Sequence, residues 1–513
     1  MGVGLNTYAI DGHSLTIADV IRVASDPSIQ VKIAPKAIPN IERAANAVQE
    51  LVAEGKIAYG ITTGFGAFKD RIIPPEDVEK LQENILLSHA VGTGALLDEK
   101  TVRAMILIRA NTLTQGHSGI RLTTVQSLLD LLNQNIIPLI PSKGSLGASG
   151  DLAPLAHMSL PLIGQGEVFY RSQRMHSAAA LKQAGLSPIK LSAKEGLALT
   201  NGTTMMAALG CYAVAEALSL IHSANAAAAL TLEAQDGTLR AFDAHIHEHR
   251  PQACQIETAA EMRALLEGST LTRPDDPRNI QDAYTLRCIP QVHGAVHSAI
   301  LYAQNVINIE LNAVTDNPLL FFEHGEVRVV SGGNFHGEPL ALALDFLSIA
   351  LTDLGNMSER RIAKLVDSRS DVNPYPPFLT DRGGLNSGFM ILQYTAAALA
   401  SENKTFSHPS STDSIPSSGN VEDHVSMGAN SALHALEVIK NLTTIIAVEI
   451  LSACQAVDFR LQKDPHAQQG RGTRKAYKIV REQIPFIPED TYLKPYLEKI
   501  NDLVSNQAFA DLI

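Results

Sequence analysis

Residues 203–234 read TTMMAALGCYAVAEALSLIHSANAAAALTLEA, an unbroken run rich in alanine and leucine with no proline. It is long enough to cross a bilayer, but Glu216, His222, Ser223 and Asn225 would be costly in lipid, so it reads as a buried helix. Comparable stretches follow at 289–314, 336–365, 386–406 and 421–457, several of them far above the usual three or four turns. In the last, Leu433, Leu436, Ile439, Leu442, Ile446 and Ile450 recur at steps of three and four, the period of one helix face. Asn420 is placed to cap that helix and Asp423 to occupy its third position. Pro274-Asp-Asp-Pro277 and Asn373-Pro-Tyr-Pro-Pro377 break the chain between long elements. The first two hundred residues are mixed, with short helical patterns and glycine-bearing loops. The expected fold is mainly α: a bundle of long helices, residues 203–513, behind a smaller mixed N-terminal domain, residues 1–202.

Composition agrees and narrows the function. Of 513 residues, 45% are hydrophobic but only 5% aromatic, and there is no tryptophan, so small aliphatic side chains must fill the interior, as closely packed helices require. A net charge of −12 offers no basic field for nucleic acid or an anionic membrane. Cys211, Cys254, Cys288 and Cys454 are scattered without a CxxC pair, and the N-terminus has no signal-peptide pattern; a reduced, cytosolic protein is expected.

Few general motifs survive inspection. His245-Ile-His-Glu-His249 has metal-binding residue types, but no HExxH and no further ligand pattern accompanies it, and a polar turn is the better reading; no metal is expected. GxSxG fails because Asp151 stands in the last glycine position, and no Walker loop is present.

What remains is Gly144-Ser-Leu-Gly-Ala-Ser-Gly-Asp-Leu-Ala-Pro-Leu155, following the apolar run Ile136–Ile140. Ser149 lies between Ala148 and Gly150, so little bulk prevents the chain from folding until the Gly150 nitrogen meets the Ala148 carbonyl carbon. That closure makes a five-membered ring. Loss of water from the ring and from Ser149 leaves an exocyclic methylene conjugated with an imidazolone, an electrophile no ordinary side chain offers.

This segment resembles the signature of the aromatic amino-acid ammonia-lyases, which carry a self-made 4-methylidene-imidazol-5-one (MIO) at Ala-Ser-Gly. The resemblance extends in order through Tyr59-Gly-Ile-Thr-Thr-Gly-Phe-Gly66, Leu197-Ala-Leu-Thr-Asn-Gly-Thr203, Gln281-Asp-Ala-Tyr-Thr-Leu-Arg287, Thr315-Asp-Asn-Pro318, Gly332-Gly-Asn-Phe335, Gly384-Leu-Asn-Ser-Gly-Phe-Met390 and Glu422-Asp-His-Val-Ser-Met427. It implies the fumarase/aspartase-like helical architecture, MIO formed from Ala148, Ser149 and Gly150 with no external cofactor, and a homotetramer whose pockets are each assembled from three chains. The fumarase group's own Gly-Ser-Ser-x-Met-Pro loop is absent.

By resemblance, Tyr59 is the general base, Ser149 the source of the electrophile, and Tyr284 a catalytic residue across the same pocket. A phenol ionises near about pH 10 unless cations or helix N-termini help it. Arg287 would pair with the substrate carboxylate through its planar fork. Asn201, Gln281 and Asn334 would serve the imidazolone and substrate, and Phe335 would support the electrophile. Substrate choice falls to His89 and Glu422. Ser88-His89 resembles the pair in histidine ammonia-lyases, and Glu422 stands where phenylalanine and tyrosine enzymes usually have glutamine. A carboxylate facing an imidazole gains a charge-assisted hydrogen bond, whereas facing a phenyl ring it is left unpaired. The expected activity is conversion of L-histidine to trans-urocanate and ammonia. Tyrosine ammonia-lyase or tyrosine 2,3-aminomutase chemistry is the alternative. Thr62 stands where histidine enzymes commonly have asparagine, Val421 where glutamine is frequent, and 367–373 is slightly lengthened.

Overall fold

The computed structural model describes residues 6–277, 279–367 and 373–513. Apart from its two ends, the 367–373 stretch lies outside these. The protein is mainly helical, and the long elements are Thr204–Ala234, Ile289–Glu310, Glu338–Leu365, Met390–Phe406 and Gly428–Lys463. The last begins later than its pattern suggested. Ser418, Gly419, Asn420 and Met427 all have positive φ, which no helix tolerates, so Asn420 ends a short 3-10 turn instead of capping the long helix, and Asp423 is in a loop.

Packing divides the chain into two compact units. One comprises Met1–Tyr212, Gln304–Leu344 and Pro409–Leu433, the other Ala213–Ala303, Asp345–His408 and His434–Ile513. The first unit thus draws in two later segments as well as the N-terminal residues.

All the described strands belong to the first unit. They form a parallel pair, Thr7–Ile10 with Gln30–Ile33, an antiparallel pair, Thr93–Leu96 with Pro141–Lys143, a three-stranded sheet of Ile137–Pro138, Glu167–Tyr170 and Gln173–His176, and a hairpin, Leu319–Glu323 with Glu326–Val330. The Glu99–Thr114 helix runs through the middle, buried from Thr101 onward. Its Arg103 is satisfied by carbonyls of Val23, Ala24 and Leu132 at 3.0–3.1 Å, where a cation meets the negative ends of two helices.

In the second unit the Gly428–Lys463 helix is buried on every side from Ile445 to Val457, the mark of a core helix. Its Glu449 is wholly buried and bonded by Arg361 (2.5 and 2.9 Å), Thr231 (2.8 Å) and Ser358 (2.6 Å). Thr204–Ala234, Glu338–Leu365 and Gly428–Lys463 are each long and apolar enough to span a membrane, but 72%, 61% and 89% of their apolar windows are buried within the protein. The 245–249 cluster is a short helix, Ala244–Glu248, with His247 bonded through both ring nitrogens to Ala241 and Gln255.

Candidate active site

The Gly144–Leu155 loop connects the strand Pro141–Lys143 to the helix Leu152–Ser159. Gly150 has φ +78° and packs flat against Gly202; a Cβ there would overlap the Gly202 carbonyl. Only glycine suits both the conformation and the space. Gly202 has the same constraint from behind, since a Cβ would lie 2.5 Å from Arg109 Nη1 and 2.8 Å from Thr315 Oγ1. The Asp151 amide donates to the Gly202 carbonyl at 2.7 Å. Asp151's carboxylate is buried, accepting from the Ser145 hydroxyl (2.9 Å) and from the Met206 amide (3.0 Å) in the first turn of Thr204–Ala234. Burial pushes its pKa up to about 6.

Ser149, half-buried, is tied on two sides. Asn201 Nδ2 donates to its carbonyl at 2.8 Å, and its hydroxyl donates to Glu422 Oε1 at 2.9 Å. Asn201 Oδ1 is buried without a partner among the described residues. The other oxygen of Glu422 accepts from the Ser417 hydroxyl at 3.3 Å, and residues 417 and 422 pair through their backbones. Glu422 therefore hangs in a short bridged loop, outside the first turn of Gly428–Lys463, so the dipole of that helix does not account for its place.

These groups face a cleft of about 1120 Å³ lined by, among others, Tyr59, His89, Ser149, Asn201, Phe335 and Glu422, within the first unit. The Tyr59 oxygen accepts from the Gly66 amide at 3.3 Å. Thr62 turns away from the cleft: its hydroxyl closes the loop on itself, accepting from the Ala58 amide (2.9 Å) and donating to the Lys56 carbonyl (2.7 Å). His89 ends the helix Val78–His89, its Nδ1 3.0 Å from the Ser88 hydroxyl. Burial holds its pKa below the usual imidazole value, opposed in part by the charge of Glu422. Asn334, bonded to the Val314 carbonyl at 3.2 Å, is beside the cleft without lining it.

Three expected residues belong to the second unit. Gln281 and Arg287 line a cleft of about 360 Å³, and Tyr284, 71% exposed, lines another of about 510 Å³. The Arg287 guanidinium lies over the Tyr284 ring, 4.7 Å from its centre, and its Nε is buried without a partner among the described residues. Sequence reasoning overlooked His336 and His424. Both line the main cleft with rings stacked 5.6 Å apart at 6°. The available signal was adjacency: each lies within two residues of a singled-out position, Phe335 or Glu422.

A sequence profile described as "Aromatic amino acid lyase" matches residues 15–482. A histidine ammonia-lyase of Chloroflexus aurantiacus is 58% identical over 505 residues, 98% of this chain and 97% of that one. The crystal structure of histidine ammonia-lyase from Trypanosoma cruzi superposes with a TM-score of 0.90 at 39% identity, covering 98% of this chain and 94% of that one. A tyrosine aminomutase from Streptomyces globisporus superposes with a TM-score of 0.91 at 38% identity, covering 98% and 97%.

Proposed function

The chain belongs to the aromatic amino acid lyase family, and from that premise we propose that it eliminates ammonia from L-histidine to give trans-urocanate, a cytoplasmic step of histidine catabolism. It is a carbon–nitrogen lyase. The observation that carries the choice of substrate is Glu422: a carboxylate reaching the cleft, fixed from behind by Ser417 and standing 2.9 Å from the Ser149 hydroxyl.

The loop suits the family's MIO group. Gly150 is pressed against Gly202 with no room for a side chain, Ala148 adds little bulk, and the Ser149 carbonyl, which would become the ring carbonyl, already receives the Asn201 amide. Formed from Ala148, Ser149 and Gly150, that group supplies an electron-poor alkene to which the substrate nitrogen bonds, making it a better leaving group. Asn201 draws electron density toward the Ser149 carbonyl. Glu422 accepts a hydrogen bond from the substrate imidazole, and His89, kept neutral by burial, completes that recognition. Tyr59, its oxygen held by the Gly66 amide, takes the β-proton. Phe335, in the cleft wall, would support the electrophile, and Asn334 would serve the substrate from beside the cleft.

Arg287 binds the substrate carboxylate and, with Tyr284 and Gln281, reaches each pocket from neighbouring copies in a homotetramer whose pockets are built from three chains. The orphaned Arg287 Nε and the open face of Tyr284 support that assignment.

A second reading keeps the chemistry and changes the guest to tyrosine, as a lyase or 2,3-aminomutase; the likeness to a tyrosine aminomutase supports it. One paired experiment tests both. Intact mass should fall two waters short of the unaltered chain, and histidine should yield urocanate faster than tyrosine yields coumarate or β-tyrosine. An unaltered mass overturns both readings, and a tyrosine preference replaces the first with the second.

A further inference from the structure

In the second unit, three helices bring together a set of potential metal-ligating side chains. Cys254, Glu257 and Glu261 share one face of the helix Ala253–Leu265, spaced by one turn and then another. His297 faces them from Ile289–Glu310 and His222 from Thr204–Ala234. Gly294 sets the approach: a Cβ there would lie 2.6 Å from both the nitrogen and Cα of Gln255, so the two helices touch backbone to backbone. His297, one turn further on, is thereby carried against Cys254 and Glu257.

One potential ligand atom from each of Cys254, Glu257 and His297 lies within 4.8 Å of the other two. Cys254 is buried, and the His297 side chain is only 16% exposed. Yet neither the thiol nor either ring nitrogen forms a hydrogen bond to another described residue, and His297 Nδ1 stands 3.9 Å from Glu257, too far for one. Enclosed polar groups are nearly always bonded to something. Sulfur, nitrogen and oxygen left open side by side are the donor set of a borderline divalent cation such as zinc, whose bonds of about 2.0–2.3 Å call for only a slight closing of this arrangement.

A second imidazole is oriented beside them. His222 Nδ1 bonds Glu261 at 3.0 Å, the other oxygen of Glu261 accepts from Asn225 Nδ2 at 2.8 Å, and Asn225 Oδ1 accepts from His293 Nδ1 at 2.7 Å. His222 Nε2 is left with a free lone pair, on a ring set edge-on to His297 with centres 6.2 Å apart. A carboxylate bonded to one nitrogen of an imidazole is the arrangement that steers the other toward a metal. A cleft of about 450 Å³ lined by His222, Glu257 and Glu261 gives access.

We propose that Cys254, Glu257 and His297 form a binding site for a divalent zinc-type cation, with His222, steered by Glu261, as a further ligand. On binding, the Cys254 thiol gives up its proton to water and coordinates as the thiolate. The cluster His336, Glu338 and His424 in the first unit differs in kind. His336 Nδ1 accepts from the Glu338 amide at 3.2 Å and Nε2 faces the His424 carbonyl at 3.2 Å, so that ring has no lone pair to offer.

The test uses the full-length protein, stripped with a chelator and titrated with Co²⁺. One equivalent should bind per chain with a thiolate-to-cobalt charge-transfer band, and Zn²⁺ should displace it. Cys254→Ser should abolish the band, His297→Gln should weaken binding at least about tenfold, and Glu261→Gln should weaken it about 10–100-fold by releasing His222. His424→Gln, in the other unit, should leave Co²⁺ binding unchanged. Should Cys254→Ser fail to fold, the two other substitutions at the cluster carry the test, because neither removes a buried apolar group. No Co²⁺ uptake by the native chain, a band that persists in Cys254→Ser, or unchanged affinity in both His297→Gln and Glu261→Gln would each overturn the site. None of these readouts depends on the proposed lyase reaction.

Discussion

Glu422 is fastened through one oxygen to Ser417, so its other oxygen meets the cleft in a fixed direction. Replacing it by glutamine preserves shape and removes charge. A charge-assisted hydrogen bond contributes about 1.5–3 kcal/mol, so Glu422→Gln should lower kcat/KM for histidine roughly 10–100-fold, followed by urocanate absorbance, while any turnover of tyrosine falls less. Asp151 gives a pH prediction. Its folded pKa of about 6 exceeds the unfolded value of about 3.9, so the folded chain holds the proton longer. The stability this contributes is fully present below about pH 4 and is lost as pH rises through about 6. The two-unit shift corresponds to about 3 kcal/mol. In urea titrations, the native protein should lose about that much stability relative to Asp151→Asn between about pH 4 and pH 7. Ala148-Ser149-Gly150 was legible as a candidate because a run of small residues is visible one letter at a time, and Glu422 as one through the family resemblance alone. The stacking of His336 on His424 was not, because 88 residues separate them and no periodicity connects two loops.

At the scale of elements, long helices were legible because an alanine- and leucine-rich run has few other ways to bury itself. Their starts were less so. Gly428–Lys463 begins seven residues later than its apolar pattern, where left-handed backbone at 418–420 and 427 forces a loop, and that loop is what presents Glu422. The packing of Gly150 on Gly202 was likewise invisible, since nothing in the order of residues pairs one glycine with another in a chain with 35 of them. Gly202→Ala would set its Cβ against Arg109 and Thr315, displace the backbone on which Gly150 rests and prevent ring closure, which intact mass would show as the full, undehydrated sum. In the second unit, Arg361 and Glu449 are both fully buried. Replacing Glu449 with glutamine leaves the guanidinium without its counter-charge and should cost about 3–5 kcal/mol in urea unfolding.

For the whole molecule, neither composition nor periodicity shows how the chain divides, because segments distant in sequence pack into each unit. What remains uncovered bears on assembly. In the second unit Tyr302, Phe346, Ile349, Ile391 and Tyr394 stand 44–60% exposed, and Tyr302 meets Phe346 edge to face at 6.1 Å. Large apolar side chains gathered on helix surfaces mark places where another protein surface docks. Phe346→Glu should therefore shift the proposed tetramer toward smaller species in light scattering, with activity falling in step because each proposed pocket borrows residues from its neighbours.

The hydrogen bond from Ser149 to Glu422 has a consequence for newly made protein. As translated, the chain occupies its proposed recognition carboxylate with its own serine. The dehydration that would create the reagent also expels that hydroxyl and opens the acceptor. Immature molecules would be doubly idle, lacking both the tool and the vacancy, and a half-ripened batch should bind only half its count of histidine molecules while the working fraction keeps its full affinity.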